Sequence, residues 1–184
     1  GSQPGDTATT GIWNRMDPNP TAAQPGDDHT VLGVNCWVTD GNGGTIGQFD
    51  IDGGFTTLMS PLLDFSGAPQ ASIRYWRWYS NNQNGVIDDV FRVDISSDNG
   101  ANWVNVETVD AASGEASGGW YEHSFAVQSL VTPTSQVRIR FVAADIGAGS
   151  IVEAAIDDFE IFAVSCDGEV VRGGIGCSDS SGTT

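Results

Sequence analysis

Between residues 31 and 164 the chain returns repeatedly to short segments in which apolar and polar residues alternate, separated by Gly, Asn, Asp and Ser. In 89–97 (DVFRVDISS), Phe91, Val93 and Ile95 fall on one side and Arg92 and Asp94 on the other. In 136–144 (QVRIRFVAA), Val137, Ile139 and Phe141 oppose Arg138 and Arg140. A period of two fits a strand with one dry face and one wet face, which an antiparallel sheet allows. Further strands are expected over 31–39, 55–63, 71–80, 102–109, 120–127 and 153–164. No window of about ten residues keeps apolar residues at helical spacing free of Gly, Pro or β-branched clusters. Asn99-Gly100, between two of the strands, suits the positive φ angles of a hairpin turn. The expected fold is all-β, a two-sheet antiparallel β-sandwich.

Composition narrows the function classes. The chain has 184 residues, with 24 acidic side chains against 7 basic ones and a formal net charge of −17. All the bases are arginine. A field of that sign repels phosphate, which argues against nucleic acid and anionic membrane surfaces as partners. No apolar run approaches the roughly 18 residues of a membrane span. Six Trp, eight Phe and three Tyr are too many large apolar side chains for a disordered acidic polymer. The opening Gly1-Ser2 reads as an expression scar, so any native signal peptide would precede it. Cys36, in a strand-like run, is expected as a free buried thiol. Cys166 and Cys177 bracket a glycine-rich stretch that either closes as a local disulfide or belongs to a further module. The expected division is a sandwich over 1–164 and a linker, or the start of another module, over 165–184.

Two long loops are rich in Asp and Gly: a polar lead over 6–30 and a connection over 39–54. Loops of that length are functional or pinned by something. Calcium takes six to eight oxygens from carboxylates and carbonyls, and such loops supply them. The candidates are Asp27-Asp28, Asp50 and Asp52 in D-I-D-G-G, Asp88-Asp89 and Asp157-Asp158. The last pair interrupts an apolar strand. Alternation should turn one of the two towards the interior or an edge, where an unpaired carboxylate is costly. A cation or an arginine would relieve that cost, and the scarcity of bases favours a structural Ca²⁺.

Catalytic signals are thin. His29 reads as a hydrogen-bonded loop anchor, and His123 shares the face of Tyr121 and Phe125. No nucleophile elbow, phosphate loop or dinucleotide fingerprint is present. In 74–79 (RYWRWY), Trp76 and Trp78 share one face with Arg74, and Tyr75 and Tyr79 share the other with Arg77. Facing outwards, Arg74, Trp76 and Trp78 would form a sugar-binding surface. Facing inwards, the Trp pair would fill the core while an arginine met a buried acid such as Asp158. Trp13, Trp37, Trp103 and Trp120 are expected to be packing residues.

The order Gln24-Pro25-Gly26-Asp27-Asp28-His29-Thr30, Leu58-Met59-Ser60-Pro61, IRYWRWYS and Glu153–Phe159 (EAAIDDF) resembles the MAM domain pattern over about residues 24–164. The longer string, from GDTATTGIW through DIDGG to VEAAIDDF, is similar to MAM-like accessory modules of secreted bacterial hydrolases, namely zinc carboxypeptidases and immune-inhibitor-A-like metallopeptidases. The resemblance implies a jelly-roll (MAM or concanavalin-like) sandwich, an extracellular setting and a cation near the DHT and IDD motifs. It points to Asp28 and Asp157 or Asp158 as ligands, and less directly to Asp50 and Asp52. The paired cysteines of animal MAM domains are missing, as is any zinc-peptidase motif. The expected role is therefore a non-catalytic, calcium-stabilised recognition module that binds a glycan or an extracellular protein surface. The alternative is a structural module stabilising a covalently linked hydrolase domain.

Overall fold

The structure, a computed structural model, describes residues 2–147, 149–164 and 170–172. Cys166 and Cys177, and the question of their pairing, lie outside the described residues. The chain forms strands β1 (Trp13–Met16), β2 (Cys36–Thr39), β3 (Gly54–Met59), β4 (Ala71–Gln83), β5 (Phe91–Ser96), β6 (Val104–Val109), β7 (Ser117–Ala126), β8 (Arg138–Asp145), β9 (Ile151–Val164) and β10 (Val170–Arg172). Two single-turn 3₁₀ segments, Ala111–Ser113 and Val127–Ser129, are the only helical elements among the described residues.

The strands make two antiparallel sheets. The larger runs β1-β2-β9-β4-β7, with β10 also on β9, and the smaller runs β3-β8-β5-β6. From β2 to β9 the chain crosses between sheets at almost every step, as a jelly roll does. Each expected strand is present at least in part, although of 31–39 only Cys36–Thr39 is strand and Val31 and Leu32 lie in a turn, and the structure adds two. β1 lies inside the polar lead and pairs with β2, Trp13 opposite Thr39. β10 lies beyond the boundary at residue 164 and pairs with the end of β9. Asn99 and Gly100 take φ of 59° and 90°, the left-handed angles expected of the turn after β5.

The core sits between the sheets, where alternate residues of each strand meet. Ile73, Tyr75 and Tyr79 of β4, Phe91, Val93 and Ile95 of β5, Ile139 and Phe141 of β8, and Val152, Ala154 and Ile156 of β9 form it, closed by Trp13. The Tyr face of β4 therefore turns inwards and the Trp face outwards. The inward reading of Trp76 and Trp78 is corrected here, and so is its ion pair. Arg77, not Arg74, is the buried arginine of β4, and its partners are Glu107, at 3.1 Å, and Glu115 rather than Asp158. Glu107 lies on β6, at the open edge of the other sheet, and also accepts from Tyr75 Oη at 2.7 Å. A guanidinium can sit at this depth because two carboxylates answer it.

Candidate functional site

The outer faces of the two sheets are built differently. On the large sheet, the outward residues of β4 alternate as Arg74, Trp76 and Trp78. The lead folds over them. Trp78 Nε1 donates to the Ala23 carbonyl at 2.7 Å. The His29 ring stacks on Trp76 with centroids 3.7 Å apart and planes 15° from parallel. Beside them Cys36, Val38 and Ala155 form a small second core with Met16, Trp78 and Trp120. Arg74 pairs with Glu160 at 2.5 Å and lies 3.8 Å from Glu122. Arg74, Trp76 and Trp78 do share a face, but their rings are packed against the lead. Burial pushes the Cys36 thiol up to about 12, as suits an inert apolar cysteine.

What pins the lead is the Asp157-Asp158 pair. Opposite it the β4–β9 register slips: Trp76 faces Asp157, yet Arg74 faces Glu160. One residue of β4 thus opposes two of β9, a β-bulge, with Asp158 at φ 47°. The bulge frees the pair from alternation, so both carboxylates reach the same loop. Asp157 Oδ2 accepts from the main-chain N–H of His29 at 2.9 Å and of Thr30 at 3.3 Å. Asp158 Oδ2 lies 2.7 Å from His29 Nδ1, and its Oδ1 accepts from Thr30 Oγ1 at 2.5 Å. Burial pushes the Asp158 carboxyl up, but Thr30 and His29 outweigh it and leave it below its ordinary value. The cost foreseen for an acid pair in a strand is thus relieved by the DHT motif itself. His29 is the anchor the sequence suggested.

The five expected metal ligands fall into separate groups. Asp28 is buried beside Asp157, and its Oδ1 has no hydrogen-bond partner. Burial first, then the charges of Asp157 and Asp27, raise its carboxyl above the ordinary range. A Cβ on Gly33 would lie 1.9 Å from Asp28 Oδ2, so only glycine lets the turn close over this carboxylate. Asp50 and Asp52 lie elsewhere, near Asp145 and Glu153. Burial, aided by Asp52, pushes Asp50 up to about 6. Burial pushes Glu153 up to about 8, against a hydrogen bond from Thr39 and with help from Asp50. Asp52 is exposed and accepts from Thr10 Oγ1 at 3.2 Å. Among the described residues, no three His, Cys, Asp or Glu side chains are placed to hold a metal together.

Among the described residues, the outer face of the small sheet is covered only at its β3 edge, where Asp6 of the lead accepts from the Thr57 N–H at 2.9 Å and from its Oγ1 at 2.7 Å. The side chains of this face stand in cross-strand rows: Phe55 beside Ala144; Thr57, Val142 and Arg92; then Met59, Arg140, Asp94 and Asn105. A cavity of about 280 Å³ lies over the first two rows, with Phe55, Val142 and Ala144 in its lining and Arg92 and Arg140 at one side. Asp94 is 1% exposed beneath the two arginines. Its Oδ2 accepts from Arg92 Nη2 at 2.8 Å and from Arg140 Nε at 2.9 Å. Burial pushes Asp94 up, but bonds from Asn105, Arg92 and Arg140 hold it below the ordinary carboxylate range. The Arg140 guanidinium lies 4.3 Å over the Trp103 ring. Sequence reasoning missed this site. Alternation did place Arg92, Asp94, Arg138 and Arg140 on wet faces, which was the available signal, but it says nothing about which strands lie side by side.

A more apolar groove of about 480 Å³ opens between the sheets, lined in part by Trp37, Met59, Pro61, Phe159 and Ile161. Val31 and Leu32, at a turn tip beside the DHT motif, are 97% and 94% exposed.

No family model matches the chain, and no curated protein matches it by sequence. Solved structures are similar in fold. The K3 cleaved adhesin domain of Lys-gingipain from Porphyromonas gingivalis w83 has a TM-score of 0.46 and 14% identity, covering 81% of this chain and 90% of that one. The K1 adhesin domain of the same protein has a TM-score of 0.43 and 21% identity, covering 82% and 90%. TmCBM61, solved in complex with β-1,4-galactotriose, has a TM-score of 0.41 and 15% identity, covering 85% and 86%. These are likenesses of architecture. They carry neither the MAM resemblance nor a ligand over to this chain.

Proposed function

We propose that this chain is a non-catalytic glycan-binding module that works outside the cell, and that its contact surface is the outer face of the small sheet. The observation that carries the reading is the pairing of an apolar floor, Phe55 with Val142 and Ala144, with guanidinium donors at its side. Sugars present apolar C–H faces and polar edges, and concave sites with a few placed polar groups recognise ligands of that kind. On the large sheet the lead lies across the aromatic rings of Trp76 and Trp78, which are taken up in packing it. A glycan panel, screened with wild type and Phe55→Ala, tests the proposal. Retention of at least one glycan class by wild type and its loss in the variant are expected. Wild type that retains none, or a variant that retains everything, sinks it. The alternative, a module that docks on a linked hydrolase domain, is favoured by the apolar groove between the sheets and by exposed Val31 and Leu32.

Calcium belongs to the proposal as a stabilising ion. The orphaned buried Oδ1 of Asp28 fits a cation, and Asp157 is its nearest acidic neighbour in effect. Asp158 has both oxygens engaged by Thr30 and His29, so Asp28 and Asp157 are the side chains that would hold the ion. Main-chain carbonyls and water would complete the shell, as calcium accepts. Thermal melts in EDTA and in millimolar Ca²⁺ check this. Stabilisation of about 2.7 kcal/mol is expected at 100 times the dissociation constant, and Asp28→Asn should remove it.

A further inference from the structure

The cations of this protein are unevenly answered. Arg74 and Arg77 each meet two carboxylates. On the outer face of the small sheet, Arg92 and Arg140 share a single one, Asp94. Arg138, on the same face, binds only neutral oxygens among the described residues, Asn99 Oδ1 at 2.6 Å and the Ser60 carbonyl at 2.8 Å. Three guanidinium groups share this face with the paired Asp94 and with Asp6, whose carboxylate is already taken by the Thr57 N–H at 2.9 Å and Oγ1 at 2.7 Å, in a chain whose formal net charge is −17.

The donors that remain are specific. Arg92 gives Nη2 to Asp94, and Arg140 gives Nε. Arg92 Nε and Nη1 and both Nη atoms of Arg140 have no hydrogen-bond partner among the described residues. Both guanidinium groups meet the same oxygen of Asp94, so they are held side by side at the edge of the cavity. Asp94 orients them from beneath, and the Trp103 ring supports Arg140. Their side chains are 47% and 28% exposed, so a ligand can reach them. A planar fork of this kind matches a carboxylate better than a hydroxyl, because two N–H groups can meet two oxygens.

We infer that the glycan this face binds is acidic: a uronic acid-containing oligosaccharide whose ring lies on Phe55, Val142 and Ala144 and whose carboxylate takes the free donors of Arg92 and Arg140. The inference rests on the glycan-binding reading. A sugar is favoured over an acidic peptide because the donors stand beside an aromatic and aliphatic floor of about 280 Å³, a space for a ring with an apolar face.

Titration calorimetry with galacturonic acid oligomers and with the same oligomers carboxyl-reduced to galactose tests it, since the two differ only in the acid group. Wild type should bind the acidic form more tightly by at least about tenfold, with affinity falling as salt rises. Arg140→Gln and Arg92→Gln, each checked for folding by circular dichroism, should lose that preference, while Arg15→Gln on the far sheet should keep it. Equal binding of both forms, unchanged by either arginine substitution, overturns the acidic ligand and leaves a neutral glycan binder standing. Binding of neither form, together with an empty glycan panel, overturns both readings. Poly-glutamate bound as tightly as the sugar acid also overturns the inference, because the patch would then read charge without a ring.

Discussion

The two outer faces carry similar raw materials, aromatic rings next to arginines, and use them in opposite ways. On the large sheet Trp76, Trp78 and Trp120 hold the lead in place, and Arg74 faces two glutamates. On the small sheet the described part of the lead runs along the β3 edge, bonding Phe55 and Thr57, and the side chains of Arg92 and Arg140 stay 47% and 28% exposed with donors in reserve. The same chemistry thus makes a second core layer on one side and a partly exposed surface on the other. What separates them is a covering segment and the bulge that fixes it.

Substitutions on the two faces should therefore separate stability from binding. Trp78→Ala removes the bond to Ala23 and the packing with Trp120, and should cost about 3 kcal/mol in urea unfolding while leaving glycan affinity unchanged. Phe55→Ala should do the reverse, weakening binding while costing less than about 1.5 kcal/mol, because its side chain is only half buried. If Phe55→Ala unfolds the protein, or Trp78→Ala abolishes binding in a folded protein, the contrast between the faces fails.

The buried acids near β9 give a pH signature that belongs to neither face. Glu153 rises in the folded protein to about 8 and Asp50 to about 6. The native state then holds protons that the unfolded chain has already released. Stability should fall as pH rises from about 4.5 to about 8, by up to about 1.4 kcal/mol per pH unit for a single such group. Glu153→Gln should flatten most of that slope in melts recorded across the range. A slope unchanged in the variant would assign the effect to other carboxyls. The smallest effect is expected at Cys36, which should resist thiol reagents in native buffer and react only after unfolding, as a labelling time course would show.

Much of the architecture was legible in the strand pattern. The alternation of β5 and β8 gave both their dry faces and their wet ones, and His29 was legible as a loop anchor, though not its partners Asp157 and Asp158. β1 escaped notice because WNRM is too short to show a period, and only its pairing with β2 makes it a strand. The bulge escaped for a similar reason. Nothing in AAIDDFEIF says that Tyr75 will oppose two residues, so the acid pair looked like a buried liability in need of an ion or an arginine.

The sequence by itself determined the class of the fold and which side of each strand meets water, because alternation is a local property of the backbone. Tertiary structure decided which wet residues became neighbours. Asp94 and Arg140 lie 46 positions apart in the chain, and the β5–β8 register alone puts them in contact. It decided the fate of the aromatic faces as well, since β4 offers Trp on one side and Tyr on the other. The choice fell to the partners: Glu107 was there to receive Arg77 within the sandwich, and the lead was there to cover the tryptophans outside it.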